Sequence, residues 1–206
     1  MRLLRRGAEA DIYGTRWMGL PAVLKARRPK RYRDPGLDAR LRRRRTSMEA
    51  RMMARAKSLG VPAPLIYHVD PDRSSITMQR LPGRPVHGLG GRRITAAAPS
   101  MGRLVGMLHR GGIVHGDPAT SNFLMSGDGL ALVDFGLSRP AERREDRAVD
   151  LRLVREALGS AHAGVADRAW AGFSAGYARA VGARERRLVE GIVRQIEARG
   201  RYAQVV

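Results

Sequence analysis

Cysteine is absent from this 206-residue sequence, acidic residues are scarce, and no long apolar run is present. The absence of cysteine excludes disulfides, zinc–thiolate sites and a cysteine nucleophile. A membrane-spanning helix needs roughly 20 consecutive apolar residues, which the sequence nowhere approaches, and residues 1–6 lack the apolar stretch of a signal peptide. We therefore expect a cytoplasmic protein that makes no contact with a membrane.

Basic residues are in large excess. The sequence has 39 Lys and Arg residues against 19 Asp and Glu residues, a formal net charge of +20. A chain this basic attracts polyanions such as RNA, DNA or an acidic protein. Ten of the basic residues lie within residues 27–45, which we predict to be an exposed loop that enters a helix. A solvated surface without a partner is an equally good interpretation of this cluster.

The first 80 residues have a β-rich pattern with one helix. Hydrophobic residues make up 43% of the chain, which is sufficient for a packed core. Apolar residues at three- and four-residue spacing between positions 48 and 59 predict an amphipathic helix, and Gly-Val-Pro at residues 60–62 ends it. Short strands are predicted at residues 8–13, 22–26, 65–69 and 75–80.

The rest of the chain has a mainly helical pattern. Leu-Pro-Gly at residues 81–83 predicts a hinge, and residues 84–99 are too rich in Gly and Pro for a clear assignment. Two more short strands are predicted at residues 122–125 and 130–133. Apolar stripes predict helices at residues 101–108, 151–158 and 165–177, and a last one on Leu188, Ile192 and Ile196. We therefore predict an α+β fold of two lobes, a β-rich N-terminal lobe at residues 1–80 and a helical C-terminal lobe at residues 81–206.

Two motifs point to phosphate chemistry. His-Gly-Asp-Pro-Ala-Thr-Ser-Asn at residues 115–122, the predicted catalytic loop, is followed twelve residues later by Asp-Phe-Gly at residues 134–136. Phosphoryl transfer needs a carboxylate near the attacking oxygen and oxygen ligands for the magnesium ion that neutralises the phosphates. We interpret Asp117 as the catalytic residue, and Asn122 and Asp134 as ligands of a Mg²⁺ ion that holds ATP.

A lysine and a glycine in the first lobe support an ATP site. Lys25 ends an Ala-Val-Leu-Lys strand pattern typical of the lysine that contacts nucleotide phosphates, and Glu49 on the next helix is its natural ion-pair partner. A glycine-containing segment upstream lies where a phosphate-covering loop belongs, although a single glycine is a weak motif. The predicted ATP-binding residues are Gly7, Ala8, Glu9, Ala10, Lys25, Glu49, Asn122 and Asp134.

At these positions the sequence resembles the small PRPK-type atypical kinases of the KEOPS complex, and the resemblance covers nearly the whole chain. His-Gly-Asp in place of the usual kinase His-Arg-Asp is its most specific feature. Further matching positions are Arg28-Pro29-Lys30, Tyr32-Arg33, Leu37-Asp38, Arg44-Arg45-Thr46, Thr120-Ser121-Asn122, Glu145-Asp146 and Val149-Asp150-Leu151.

The resemblance implies a two-lobed minimal protein-kinase fold and Mg²⁺-dependent use of ATP in support of threonylcarbamoyladenosine modification of tRNA. It also implies contact with the threonylcarbamoyl-transferase subunit and the small regulatory subunit of the complex, and with tRNA through the basic surface and the C-terminal tail. An Ala-Pro-Glu motif is missing, so no activation segment is expected. The resemblance further implies that Asp150 accepts backbone hydrogen bonds from the catalytic loop, although it could also cap a helix.

Some features depart from that family or allow other functions. Pro118-Ala119 in the catalytic loop, Gln79-Arg80 at the hinge and the apolar end after Arg199-Gly200-Arg201 differ from the family pattern. Asp117, Asn122 and Asp134 could be simple turn formers, and His115 is predicted to have a structural role. The alternative functions are a free-standing small-molecule kinase of the same fold and an RNA-binding scaffold pseudokinase.

Overall fold

A five-stranded antiparallel sheet forms the N-terminal part of the computed structural model, which describes residues 1–127 and 129–202. Its strands are ordered β1-β2-β3-β5-β4. Met18 and Gly19 both have positive φ, so a two-residue turn whose twist matches the strands joins β2 to β3. The strands are β1 (Arg2–Arg6), β2 (Ala10–Trp17), β3 (Leu20–Arg27), β4 (Ile66–Asp70) and β5 (Ser75–Gln79).

The first helix, α1 (Pro35–Ser58), starts well before the apolar stripe that predicted it. Asp34 caps it by accepting a hydrogen bond from the Leu37 backbone N–H at 2.8 Å, and Pro35 occupies the first turn, where no N–H is needed. The predicted loop over residues 27–45 was therefore wrong at both ends. Arg27 is the buried last residue of β3, and residues 35–45 are helical.

Four helices make up most of the second half. They are α2 (Gly91–Arg110), α3 (Arg144–Ala161), α4 (Ala166–Val181) and α5 (Ala183–Tyr202). Residues 84–99, for which the sequence gave no clear prediction, contain the first turns of α2, and Pro99 lies within this helix. Asp150 lies in the middle of α3 and does not open it, so the capping alternative was wrong. Within the described ranges, no helix combines the length and the apolar character that a bilayer crossing needs.

Helices α2 and α4 pack backbone against backbone because each helix has a glycine where the other's backbone approaches. A Cβ atom on Gly102 would lie 1.9 Å from the Phe173 carbonyl oxygen, and one on Gly176 would lie 1.8 Å from the Pro99 carbonyl oxygen. No side chain fits at those distances. The two glycines therefore fix how closely α4 supports the helix that leads into the catalytic loop.

Helix α5 buries a face shifted by one residue from the predicted stripe. Val189 and Val193 are buried, whereas Leu188 is 44% exposed and Ile192 and Ile196 are only partly buried. The sequence offers two overlapping apolar stripes on this helix, and the stripe that packs against α3 and α4 is the buried one.

Short strands carry the predicted catalytic segments between the helices. After β6 (Arg84–Pro85) and β7 (Ile113–Val114), the hairpin of β8 (Phe123–Ser126) and β9 (Gly129–Leu132) forms a three-stranded sheet with β6. A last short strand, β10 (Arg139–Pro140), pairs with β7. The predicted α+β architecture, with a β-rich first part and a helical second part, is confirmed.

Candidate nucleotide-binding and catalytic site

Lys25 joins three parts of the fold at the cleft between the sheet and the helices. It lies on β3 and is 8% exposed. Its Nζ atom donates to Glu49 Oε1 on α1 at 2.6 Å and to Asp134 Oδ1, just after β9, also at 2.6 Å. Glu49 is 1% exposed. The predicted ion pair is therefore present, and it also binds one of the predicted metal ligands.

These contacts keep the Lys25 ammonium group and the Asp134 carboxylate charged. Burial alone would disfavour the ammonium group, but the carboxylates of Glu49 and Asp134 outweigh it and raise the pKa of Lys25. Burial likewise opposes ionisation of Asp134, yet the Lys25 ammonium group holds the pKa of that carboxyl below its ordinary value. At neutral pH the cleft therefore contains an ammonium–carboxylate pair that can bind phosphate and a cation.

Arg27 is a cleft residue that the sequence analysis missed. Its guanidinium donates to Glu49 Oε2 at 2.6 Å and to Glu9 Oε2 at 3.2 Å. Arg27 follows Lys25 by two residues, so both side chains lie on the same face of β3. That alternation was the available signal, but the residue was assigned to the basic loop and not to the strand.

The predicted phosphate-covering loop connects β1 to β2 and lines the cleft. The Gly7 N–H donates to the Ala10 carbonyl at 3.0 Å, and a Cβ on Gly7 would lie 2.6 Å from that carbonyl oxygen. The loop therefore requires glycine at its first position. The carboxylate of Glu9 already accepts hydrogen bonds from Arg45 at 2.7 Å and from Arg27 at 3.2 Å, so mainly the loop backbone is available to a ligand.

The catalytic loop brings Asp117 and Asn122 together. The Asn122 Nδ2 atom donates to the Asp117 carbonyl at 2.9 Å and to Asp117 Oδ2 at 3.0 Å. This arrangement leaves the Asn122 amide oxygen for a cation. Across the hairpin, the Val133 N–H donates to the Asn122 carbonyl at 2.9 Å, which places Asp134 next to this loop.

Asp134 has a backbone conformation that non-glycine residues rarely adopt. Its φ is +62°, and such left-handed residues are concentrated at functional sites. Among the described residues no group of three or more His, Cys, Asp or Glu side chains could hold a metal by itself. The oxygen donors present are the carboxylates of Asp117 and Asp134 and the amide oxygen of Asn122. This set suits Mg²⁺, because that ion takes few protein ligands and completes its shell with phosphates and water.

A buried network fixes the backbone of the catalytic loop. Asp150 accepts from the His115 N–H at 2.7 Å and from the Gly116 N–H at 2.9 Å, as the family resemblance implied. His109 Nε2 lies 3.1 Å from Asp150 Oδ2, and His109 Nδ1 lies 3.0 Å from the Tyr177 hydroxyl. All of these side chains are buried. The catalytic loop is thereby tied to α2, α3 and α4 at once.

The glycine of the His-Gly-Asp motif has a local structural cause. Gly116 has φ +81°, and a Cβ there would lie 2.4 Å from the Leu137 carbonyl oxygen. The preceding His115 is fully buried, stacks at a tilt on Phe135 with 5.1 Å between ring centroids, and has Nε2 3.2 Å from the Val133 carbonyl oxygen. Burial lowers the pKa of His115, which agrees with a neutral, structural imidazole.

The cleft has a polar and an apolar compartment that meet at Lys25 and Asp134. The polar compartment, of about 350 Å³, lies between the Gly7–Ala10 loop and Asp117. The apolar compartment, of about 290 Å³, is lined by Val23, Met78 and Leu124 among others. The basic residues of the first suit a polyphosphate, and the apolar lining of the second suits a flat aromatic base. The fold and this arrangement of residues define a small kinase-type protein. Its sequence lacks the Ala-Pro-Glu motif of an activation segment.

Comparison with known proteins identifies the family. No protein-family model matches the chain. The KEOPS complex subunit Bud32 of Pyrococcus abyssi is 35% identical over an alignment of 214 positions. The alignment covers 99% of this chain and 97% of that protein. The chain belongs to the family of KEOPS complex subunit Bud32.

Two further comparisons extend that result. A probable bifunctional tRNA threonylcarbamoyladenosine biosynthesis protein of Methanothermobacter thermautotrophicus is 36% identical over 200 residues. The match covers 97% of this chain but only 36% of that protein, so the chain spans about a third of the length of such bifunctional relatives. The solved Rio2 kinase–ADP/Mg²⁺–phosphoaspartate complex of Chaetomium thermophilum has a TM-score of 0.66 at 17% identity, covering 96% of this chain and 72% of that one, and shares the fold.

Proposed function

We propose that this protein is a Mg²⁺-dependent ATPase or atypical serine/threonine kinase that acts in the cytoplasm as a subunit of the KEOPS complex and supports threonylcarbamoyladenosine modification of tRNA. The observation that carries the proposal is the position of Lys25, which binds Glu49 and Asp134 at the wall of a cleft that Asp117 also lines. The Bud32 family membership supports the assembly and the pathway.

Each cleft residue has a distinct proposed role. Lys25, held by Glu49, contacts the phosphates, and the backbone of Gly7, Ala8, Glu9 and Ala10 covers them. Asn122 and Asp134 would hold Mg²⁺, which supplies positive charge to the phosphoryl oxygens. Asp117 orients the attacking oxygen, either of water or of a protein hydroxyl, and accepts its proton. The apolar compartment takes the adenine base.

The short link between the Asp-Phe-Gly segment at residues 134–136 and α3 favours control by a bound partner. Strand β10 pairs with β7 directly after the Asp-Phe-Gly segment, and α3 begins at Arg144. This leaves no platform for an extended peptide and no segment for regulatory phosphorylation. We propose that the transferase subunit and the small regulatory subunit supply that control. The segment after the hinge holds β6, a short 3₁₀ turn and the start of α2, which leaves no room for the substrate region of a small-molecule kinase.

We propose that tRNA contacts the outer face of α1. Arg40, Arg44 and Arg51 are exposed and follow the helix at spacings of four and seven residues, so they form one stripe. Other arginines of the cluster are committed elsewhere, since Arg42 binds Asp38 and Arg45 binds Glu9. The proposed contribution of the C-terminal tail falls largely on residues 203–206 and on side chains from residue 200 onward, which lie outside the described residues.

ATP turnover tests the proposed function. Asp117→Asn keeps the shape of the catalytic loop but removes the base, so kcat should fall by roughly 10²-fold or more. Asp72→Asn, in the exposed turn between β4 and β5, is the matched control and should leave turnover unchanged. Both variants are assayed with and without the transferase subunit and tRNA. Turnover in Asp117→Asn equal to that of the control would remove Asp117 from the mechanism.

A further inference from the structure

The cationic groups of the cleft are unequally committed. The polar compartment is lined by three basic residues, Arg5, Lys25 and Arg27, and by three carboxylates, those of Glu9, Asp117 and Asp134. Lys25 and Arg27 are already bound to carboxylates at 2.6 Å. Arg5 makes no salt bridge to any residue within the ranges that the structure describes. The cleft therefore has one positive charge that is available to a further anion.

The register of the sheet places Arg5 on the cleft face. In the antiparallel pair of β1 and β2, Arg5 lies opposite Ile12, and directly opposed residues project on the same side of a sheet. Ile12 lines both compartments of the cleft, and so does Arg5. The next residue, Arg6, lies opposite Asp11 and projects to the other side.

A local irregularity in β1 supports this orientation. The register between β1 and β2 shifts between Leu3 and Arg5, as expected when one strand carries an extra residue. Both Leu4 and Arg5 then line the apolar compartment, although neighbouring strand residues normally face opposite sides. Such irregularities beside active sites re-aim a side chain, and here the re-aimed side chain is a guanidinium group.

We infer that Arg5 is a specificity-determining contact for the phosphates of the bound nucleotide, an inference that rests on the proposed function. Because Arg5 borders both compartments, its guanidinium can reach the junction where the nucleoside meets its first phosphates. Lys25 and Arg27 cannot neutralise a polyphosphate alone, since their charge is already matched by Glu49, Asp134 and Glu9. Arg5 supplies charge-assisted hydrogen bonds that a nucleoside without phosphates cannot accept.

The test compares the binding of ADP and of adenosine, each with Mg²⁺, by titration calorimetry on the full chain. Arg5→Gln should lower ADP affinity by about tenfold, as expected for the loss of one charge-assisted contact, and leave adenosine affinity unchanged. Arg5→Lys should keep part of the ADP affinity. Arg6→Gln, on the same strand but facing away, is the matched control and should bind ADP as the wild type does. The exposure of both arginines makes a folding defect unexpected, and equal thermal unfolding midpoints check this.

The outcomes separate this inference from the proposed function. If Arg5→Gln binds ADP as well as Arg6→Gln does, the inference on Arg5 is wrong while the ATP site stands. If adenosine affinity falls as much as ADP affinity, Arg5 packs against the base or ribose and does not read phosphate, which also overturns the inference. If the wild-type chain binds neither ADP nor ATP, both the inference and the proposed function are wrong.

Discussion

At the scale of single residues, buried charge holds the site in shape. Glu49 is a buried carboxylate that accepts hydrogen bonds from two buried cations, Lys25 and Arg27. Removing one member of such a group leaves the others buried without a counter-charge, which costs more than the pair itself gains. Glu49 therefore fixes the position of Lys25, and we expect it to stabilise the packing of α1 on the N-terminal sheet.

Glu49→Gln should destabilise the protein by roughly 3 kcal/mol, because the amide cannot neutralise the two buried cations. Glu156→Gln is the control. It removes a carboxylate on α3 that pairs with Arg152 at the surface, and exposed pairs contribute less than about 1 kcal/mol. Urea denaturation of both variants measures the difference. Equal unfolding free energies would show that the Glu49 cluster carries no special stability.

Residue-scale chemistry was also where the sequence was most informative. Asp117, Asn122, Asp134, Lys25 and Glu49 are identifiable because phosphate chemistry demands fixed residue types at fixed spacing, and the structure brings them to one cleft. Arg27 was missed because it was assigned to the basic loop and not to the strand of Lys25, whereas Arg5 was missed because its orientation depends on strand register, which the motif does not specify. The identity of a basic residue on a strand does not show whether its side chain faces solvent or a phosphate site.

At the scale of elements, close helix packing supports the catalytic loop. Helix α2 leads through β7 into the His-Gly-Asp segment, and α4 packs on α2 through Gly102 and Gly176. Tyr177 on α4 also reaches His109 on α2 with its hydroxyl. A change in the distance between α2 and α4 would therefore be transmitted to the Asp150 network that holds the loop backbone.

Gly102→Ala should destabilise the protein by about 1–3 kcal/mol, since the added methyl group overpacks a contact between backbones. Gly159→Ala on α3 is a matched control, because a Cβ there meets no atom within 4 Å. That substitution should be neutral or stabilising by up to about 1 kcal/mol, as alanine favours helix more than glycine does. Thermal unfolding of both variants decides the point, and similar midpoints would contradict the packing argument.

Element boundaries were harder to predict than the elements themselves. Strand β1 was missed because all five of its residues are exposed, so it has no apolar alternation. Helix α1 was predicted to start too late because its first turns are rich in arginine, which carries no apolar periodicity. The buried stripe of α5 was misplaced by one residue, since only the packing against α3 and α4 distinguishes Val189 from Leu188.

At the scale of the whole molecule, we propose that the chain divides into lobes at residues 1–80 and 81–206 and that its basic surface attracts tRNA. The sheet ends at Gln79, and the catalytic cleft lies between the two parts. The stripe of Arg40, Arg44 and Arg51 is on the far side of α1 from Glu49, so a polyanion bound there would not occupy the cleft. Nucleotide and RNA could then be bound simultaneously.

Replacing Arg40, Arg44 and Arg51 by Gln should weaken tRNA binding and reduce the slope of log affinity against log salt by roughly two to three, because each of three phosphate contacts contributes about 0.7–0.9 to that slope. Replacing Arg168, Arg179 and Arg184, which are exposed on α4 and α5, removes the same charge from another surface. Filter binding at several salt concentrations compares the two. Equal losses of affinity would mean that net charge, and not the α1 stripe, attracts tRNA.

We propose that Asn122 and Asp134 bring Mg²⁺ to the phosphates that Lys25 contacts. The test measures how Mg²⁺ changes the binding of a non-hydrolysable ATP analogue to the wild type and to Asp134→Asn. We predict that Mg²⁺ strengthens binding to the wild-type chain by about tenfold or more, because one carboxylate and one amide oxygen hold the ion against the phosphates. The variant should lose this gain. An equal gain with Mg²⁺ in Asp134→Asn would show that Asp134 does not hold the metal ion.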